Sequence, residues 1–191
     1  MRNGWLYVAN IAPFAKFNPG SVSIYPPSAS NPSRVLKFPN FQVYGITLHG
    51  QTSTIYVSYA ANNSSGEINE FVHARGKAKN LGVSYDSPWG ILEDGSDNLL
   101  AASGDGTINV YSEATGKLTK QITVSGGALW EAFNQSRSKL YVTDFDKVDI
   151  FSYPAGKLIG SIDESGWGGR SNYATGLAHW PPPQDERSIR K

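Results

Sequence analysis

Four short segments carry polar or aromatic side chains at matched positions, and those side chains are the ones that could do chemistry. YGITL (Tyr44 to Leu48), WGILE (Trp89 to Glu93), WEAFN (Trp130 to Asn134) and TGLAH (Thr175 to His179) align without gaps. The third position after the glycine then holds Leu48, Glu93, Asn134 and His179. Converging on one axis, a carboxylate, an amide and an imidazole would hold a hard cation, or set an acid beside a histidine for proton transfer. The residue before the glycine is Tyr44, Trp89, Trp130 or Thr175. Three flat rings at one mouth would stack a sugar, a peptide proline or a base. Glu131 stands where the other segments have Gly45, Gly90 and Gly176. An acid there must be solvated in an open channel or paired, because burying it alone is costly.

Ordinary packing competes with each of these readings. The third position commonly carries an apolar residue between sheets, and aromatics at sheet contacts are usually core. The inner strand of the third segment also fits Gly127 to Trp130, and Glu131 then marks a local distortion. Tyr44, Trp89, Trp130, Glu131, Glu93, Asn134 and His179 are therefore ligand-binding candidates, with no catalytic residue and no metal ligand assigned. Asp144, Asp146 and Asp149 in DFDKVD lack the glycine and closing glutamate of a calcium loop and read as a solvated hairpin turn. His49 and His73 have no second histidine at ligand spacing and read as surface side chains. Nothing matches a nucleophile elbow, a phosphate loop or a dinucleotide fingerprint, so no cofactor is expected.

The elements that must position these residues recur along the chain. LYVAN, IYVSY, LLAAS and LYVTD begin at 6, 55, 99 and 140. SVSIY, EINEF, TINVY and KVDIF follow in the same order, then RVLKF, KNLGV, KQITV and KLIGS. Apolar and polar residues alternate in the first two series, as in a half-buried strand, with Val22 and Ile24 the inward pair of SVSIY. Turn sequences such as Ser103 to Gly106 separate them, and the dense Gly, Pro, Asn and Ser breaks leave no room for helices. With the glycine-bearing segment as innermost strand, each repeat has four strands in roughly 40 to 45 residues, the arithmetic of a β-propeller blade. The expectation is an all-β propeller of four-stranded antiparallel blades, four repeats in this chain. It is one domain over residues 1–183, with a disordered tail at 184–191.

Composition narrows the partners. Gly 20 and Pro 11 of 191 residues, with 17% charged side chains, describe a turn-rich, weakly charged globular chain. A formal charge of +1 gives no electrostatic case for nucleic acid or an anionic membrane. The longest apolar run, Trp5 to Ala9, is too short for a membrane span or a signal-peptide core. The absence of cysteine excludes disulfides and thiolate chemistry. The compartment is not determined: the chain opens on a strand without a leader, which fits a cytoplasmic protein or a start internal to a longer frame.

The chain opens on a second strand and ends on a first strand, Ala174 to Trp180, so the two remnants complete one blade. Either four blades close a ring, or the chain is part of a larger one, in which two copies could give eight blades as a homodimer. The larger ring is favoured because six to eight blades are commoner than four. SPWGILEDGSDNLLAAS (Ser87 to Ser103), LYVAN and SVSIYPP resemble the NHL-like and surface-layer-like propeller repeats of bacteria, over residues 5 to 183. Relatives of that kind are often exported. They include lactonase-like and lyase-like enzymes working at the channel mouth, but the lactonase set of Glu, two Asn and Asp has no residue-by-residue match here. The expected function is a non-catalytic scaffold binding a protein, peptide or carbohydrate at its channel mouth or loop face. A metal-dependent hydrolase or lyase of the lactonase-like group is the alternative.

Overall fold

The computed structural model describes residues 4–10, 20–49, 53–61 and 65–163. Among them, fifteen strands form four antiparallel sheets, and the one helical element is the 3-10 turn Val72–Ala74. Blade I is β1 (Leu6–Asn10), β2 (Gly20–Tyr25) and β3 (Arg34–Phe38). Blade II is β4 (Gln42–Leu48), β5 (Ile55–Ala60), β6 (Glu67–Phe71) and β7 (Lys79–Asn80). Blade III is β8 (Pro88–Glu93), β9 (Asn98–Ser103), β10 (Thr107–Ser112) and β11 (Leu118–Thr123). Blade IV is β12 (Glu131–Phe133), β13 (Lys139–Asp144), β14 (Lys147–Ser152) and β15 (Lys157–Asp163). Each strand pairs only with its neighbours in sequence, the meander that defines a propeller blade.

The second strands differ from expectation. In blades II and III, β5 and β9 are buried on both faces rather than half-buried, because each of these blades is sandwiched between two others, whereas β1 of blade I stays partly exposed. In β9, Leu99 and Ala101 enter the core shared with blade II, whereas Leu100 and Ala102 enter the core shared with blade IV. The opposite pointing of successive side chains thus feeds two cores from one strand. In β5 the same alternation sends Ile55, Val57 and Tyr59 toward blade I and Tyr56 toward blade III. Val22 and Ile24 are buried as expected.

The first strands line the hub: β4 lies against β1 and β8, and β8 against β12. Glycine makes this approach feasible. A Cβ on Gly45 would sit 2.9 Å from both the Trp89 carbonyl oxygen and Ser58 Oγ, and the Gly90 N–H donates to the Leu129 carbonyl across blades at 2.7 Å. The described residues form an arc of four blades, not a closed ring. The strand expected at 174–180 and the tail at 184–191 lie outside the described residues. Among the described residues, no helix is long and apolar enough to cross a membrane.

Candidate functional site

Strand pairing changes the alignment of the candidate residues. Ile46 pairs with Val57, Ile91 with Ala101 and Glu131 with Val142, so Glu131 is level with two isoleucines. The glycine level in blade IV is occupied by Trp130. The gapless alignment is one residue out against the partner strands: β4 and β8 carry bulges between Val43 and Gly45 and between Pro88 and Ile91, and in blade IV the Leu129 N–H and the Trp130 carbonyl both bond to the Thr143 backbone, which sets Trp130 at the glycine level. The pairing of β12 runs regularly from Glu131 to Phe133. Leu48 and Glu93 likewise match Phe133, not Asn134, since these face Ile55, Leu99 and Leu140.

The aromatic row nevertheless forms. Trp89 sits between Tyr44 and Trp130, its ring centroid 5.8 Å from the first and 5.2 Å from the second, both near-perpendicular at 70° and 68°. Trp89 is packed against the core between blades III and IV, so at this ring packing prevails. Tyr44 and Trp130, half-buried, border a cavity of about 750 Å³ at the hub. Burial raises the Tyr44 hydroxyl above its ordinary pKa, and that hydroxyl donates to Gln42 Oε1 at 3.0 Å.

The same cavity has a polar end. Glu93 lies on its wall, buried, with its N–H directed to Thr47 Oγ1 at 3.3 Å. Glu93 Oε1 accepts the Gly95 N–H at 2.7 Å, and Oε2 is 3.8 Å from Arg137 Nη2. Asn134 also borders the cavity, but its side chain builds the β12–β13 turn. Its Oδ1 accepts the Lys139 N–H at 2.9 Å and its Nδ2 donates to Ser136 and Ser138. Asp94 builds the β8–β9 turn in the same way, accepting from the Ser96 and Asn98 backbones. Burial alone would raise the Asp94 carboxyl, but hydrogen bonds from Tyr153, Asn98 and Ser96 outweigh it and hold it below its ordinary value. Thr47, Gln135 and Arg137 complete this end and were not singled out in the sequence, where turn residues of different repeats show no common pattern. His179, with Thr175, lies outside the described residues.

Glu131 is neither solvated nor paired. It is 8% exposed, its carboxyl rests against Gly90, and neither oxygen has a hydrogen-bond partner among the described residues. Burial drives its pKa well above the usual carboxylate value, with only its own backbone N–H opposing, so the site favours the neutral acid. It replaces an interface isoleucine, which is why its charge finds no counterpart.

Two further expectations are corrected. The DFDKVD turn is solvated only at its tip, where Phe145 and Asp146 are exposed: Asp144 and Asp149 are buried, with Lys147 Nζ between them at 3.6 Å and 3.1 Å. Nor is His49 an ordinary surface side chain, since its Nδ1 lies 3.0 Å from Glu113 Oε2, which reaches it from blade III. Spacing along the chain hides this pair, because 64 positions and a blade boundary separate the two residues. The chain matches no protein-family model and no curated protein, so its function has to be read from these side chains.

Proposed function

We propose that this protein is a non-catalytic binding module that takes a neutral saccharide in the cavity at the hub of its blades. One observation carries the reading: Tyr44 and Trp130 border a cavity whose other end offers Thr47, Gln135 and Arg137. Flat apolar faces opposite hydroxyl-matching donors and acceptors suit a pyranose ring, which is apolar on one face and polar at its rim. The volume falls in the range of about 300–1,000 Å³ typical of small-ligand sites. The propeller hairpins that resemble NHL-like repeats support the same view, a rigid scaffold with its site at the mouth.

A hydrolase or lyase reading is supported less well. The two carboxyl groups on the described cavity wall are Glu93 and Glu131. One is engaged by Gly95 and Arg137, and the other favours its neutral form behind Gly90, away from proton-transfer partners.

Tryptophan fluorescence titrated with an oligosaccharide panel tests the proposal. A saturable change is expected, with affinity lowered about tenfold or more, ~1.4 kcal/mol, by Trp130→Ala and by Tyr44→Ala. Binding of proline-containing peptides but of no glycan, or glycan binding unaffected by both substitutions, would refute it.

A further inference from the structure

We propose that His49, Asp97 and Glu113 form a site for one divalent transition-metal cation of the zinc type, clasping blade II to blade III. His49 follows β4, Asp97 lies in the β8–β9 turn and Glu113 follows β10, so three connections on one side of the arc meet there. One ligand atom from each residue lies within 4.8 Å of the others. The site is distinct from the hub cavity, which none of the three borders.

Glu113 makes the cluster more than a charged patch. It is 8% exposed, and its two oxygens have different fates. Oε2 accepts the Tyr56 hydroxyl at 3.2 Å and lies 3.0 Å from His49 Nδ1. Oε1 is buried with no hydrogen-bond partner among the described residues. A buried carboxylate oxygen without a donor is costly unless a cation supplies the missing charge. Glu113 interacts electrostatically with His49 and also with the carboxyl groups of Glu93 and Asp97. Three carboxyl groups share one region with a single imidazole beside Glu113, while Arg137 approaches Glu93 alone, at 3.8 Å. A bound dication would relieve that repulsion.

Donor chemistry selects the metal class. One imidazole nitrogen with two carboxylates suits zinc and its neighbours, whereas calcium and magnesium prefer all-oxygen sets. Metal–ligand distances of about 2.1 Å put tetrahedral ligands ~3.4 Å apart. His49 and Glu113 are already that close. Asp97 is exposed, so rotation of its side chain can close the remaining gap. The buried side is held in register by the Glu113 N–H, which donates to the Asp97 carbonyl at 3.0 Å, and by the Tyr56 ring, edge-on to His49. The half-exposed imidazole leaves an entry path and room for a water as fourth ligand.

Calorimetric titration of the untagged, metal-stripped full chain with zinc, manganese, calcium and magnesium tests this, alongside thermal melting. One zinc per chain is expected, with a rise in Tm, and at least tenfold weaker binding in Glu113→Gln and in Asp97→Asn. Asp97 is exposed, so Asp97→Asn decides the matter even if Glu113→Gln fails to fold. Trp130→Ala should leave zinc binding unchanged, which separates this site from the saccharide proposal. Absence of saturable zinc binding, zinc affinity equal to wild type in Asp97→Asn, or calcium binding as tight as zinc would overturn the inference.

Discussion

Glu131 shows how one side chain can be wrong for its position and still be tolerated. In blades II and III its level belongs to Ile46 and Ile91, whereas here a carboxyl lies against Gly90 with no donor among the described residues. An acid whose folded pKa is raised costs nothing extra at low pH, where both states are protonated. Above the ordinary value of about 4.3 the unfolded chain releases the proton and the folded chain keeps it, so stability falls. The loss reaches up to ~1.4 kcal/mol per pH unit until the folded pKa is passed. Glu131→Gln removes the titration while keeping the shape. Its stability relative to wild type should therefore rise between pH 4 and pH 7, read from urea midpoints. A difference independent of pH would show that the acid is ionised in the fold.

At the level of strands, the close contact of β4 with β8 depends on what is missing at Gly45. Adding a Cβ there meets the backbone carbonyl of Trp89 and the nitrogen of Ile91, at 2.9 Å and 3.0 Å, neither of which can rotate away. Gly45→Ala should destabilise by about 1–3 kcal/mol, the usual cost of overpacking. Gly160→Ala on the outer strand β15 is the control, because nothing lies within 4 Å of the added carbon. It should change stability by less than about 0.5 kcal/mol. Equal effects in a denaturant titration would mean that the inner strands are not in backbone contact. The bulges in β4 and β8 belong to the same level: each inserts a residue before the glycine, whereas in blade IV Leu129 and Trp130 share Thr143 as partner and Trp130 stands at the glycine level.

Across the whole arc, stability is distributed between neighbouring blades, not held by one centre. Three apolar clusters lie at the three blade boundaries, and the strands that serve two of them are the most deeply buried. Leu99, Leu100, Ala101 and Ala102 are all at 0% exposure, whereas every residue of β15 is exposed. Amide hydrogen exchange should consequently be slowest in β9 and its partner β10 and fastest, among the strands, in β15. The reverse order would contradict the stacked arrangement. The same stacking places the proposed cation across one blade boundary, between His49 and Glu113.

The four-stranded unit was legible in the sequence because turn chemistry and a repeat near 40 to 45 residues are local properties. LYVAN, TINVY and KVDIF each fall within a strand of the structure, and the matched rings Tyr44, Trp89 and Trp130 do meet. What the sequence could not display is whatever depends on counting residues against a partner strand. A single bulge shifts every later side chain to a new level, so Glu131 aligned with glycines although it packs as an isoleucine would. Contacts between blades were equally hidden: His49 meets Glu113 and Tyr153 meets Asp94 only when separate sheets stack. Short-range backbone preference is written into neighbouring residues, but the approach of two distant surfaces is decided by the free energy of burying them together, and that exists only in the folded chain.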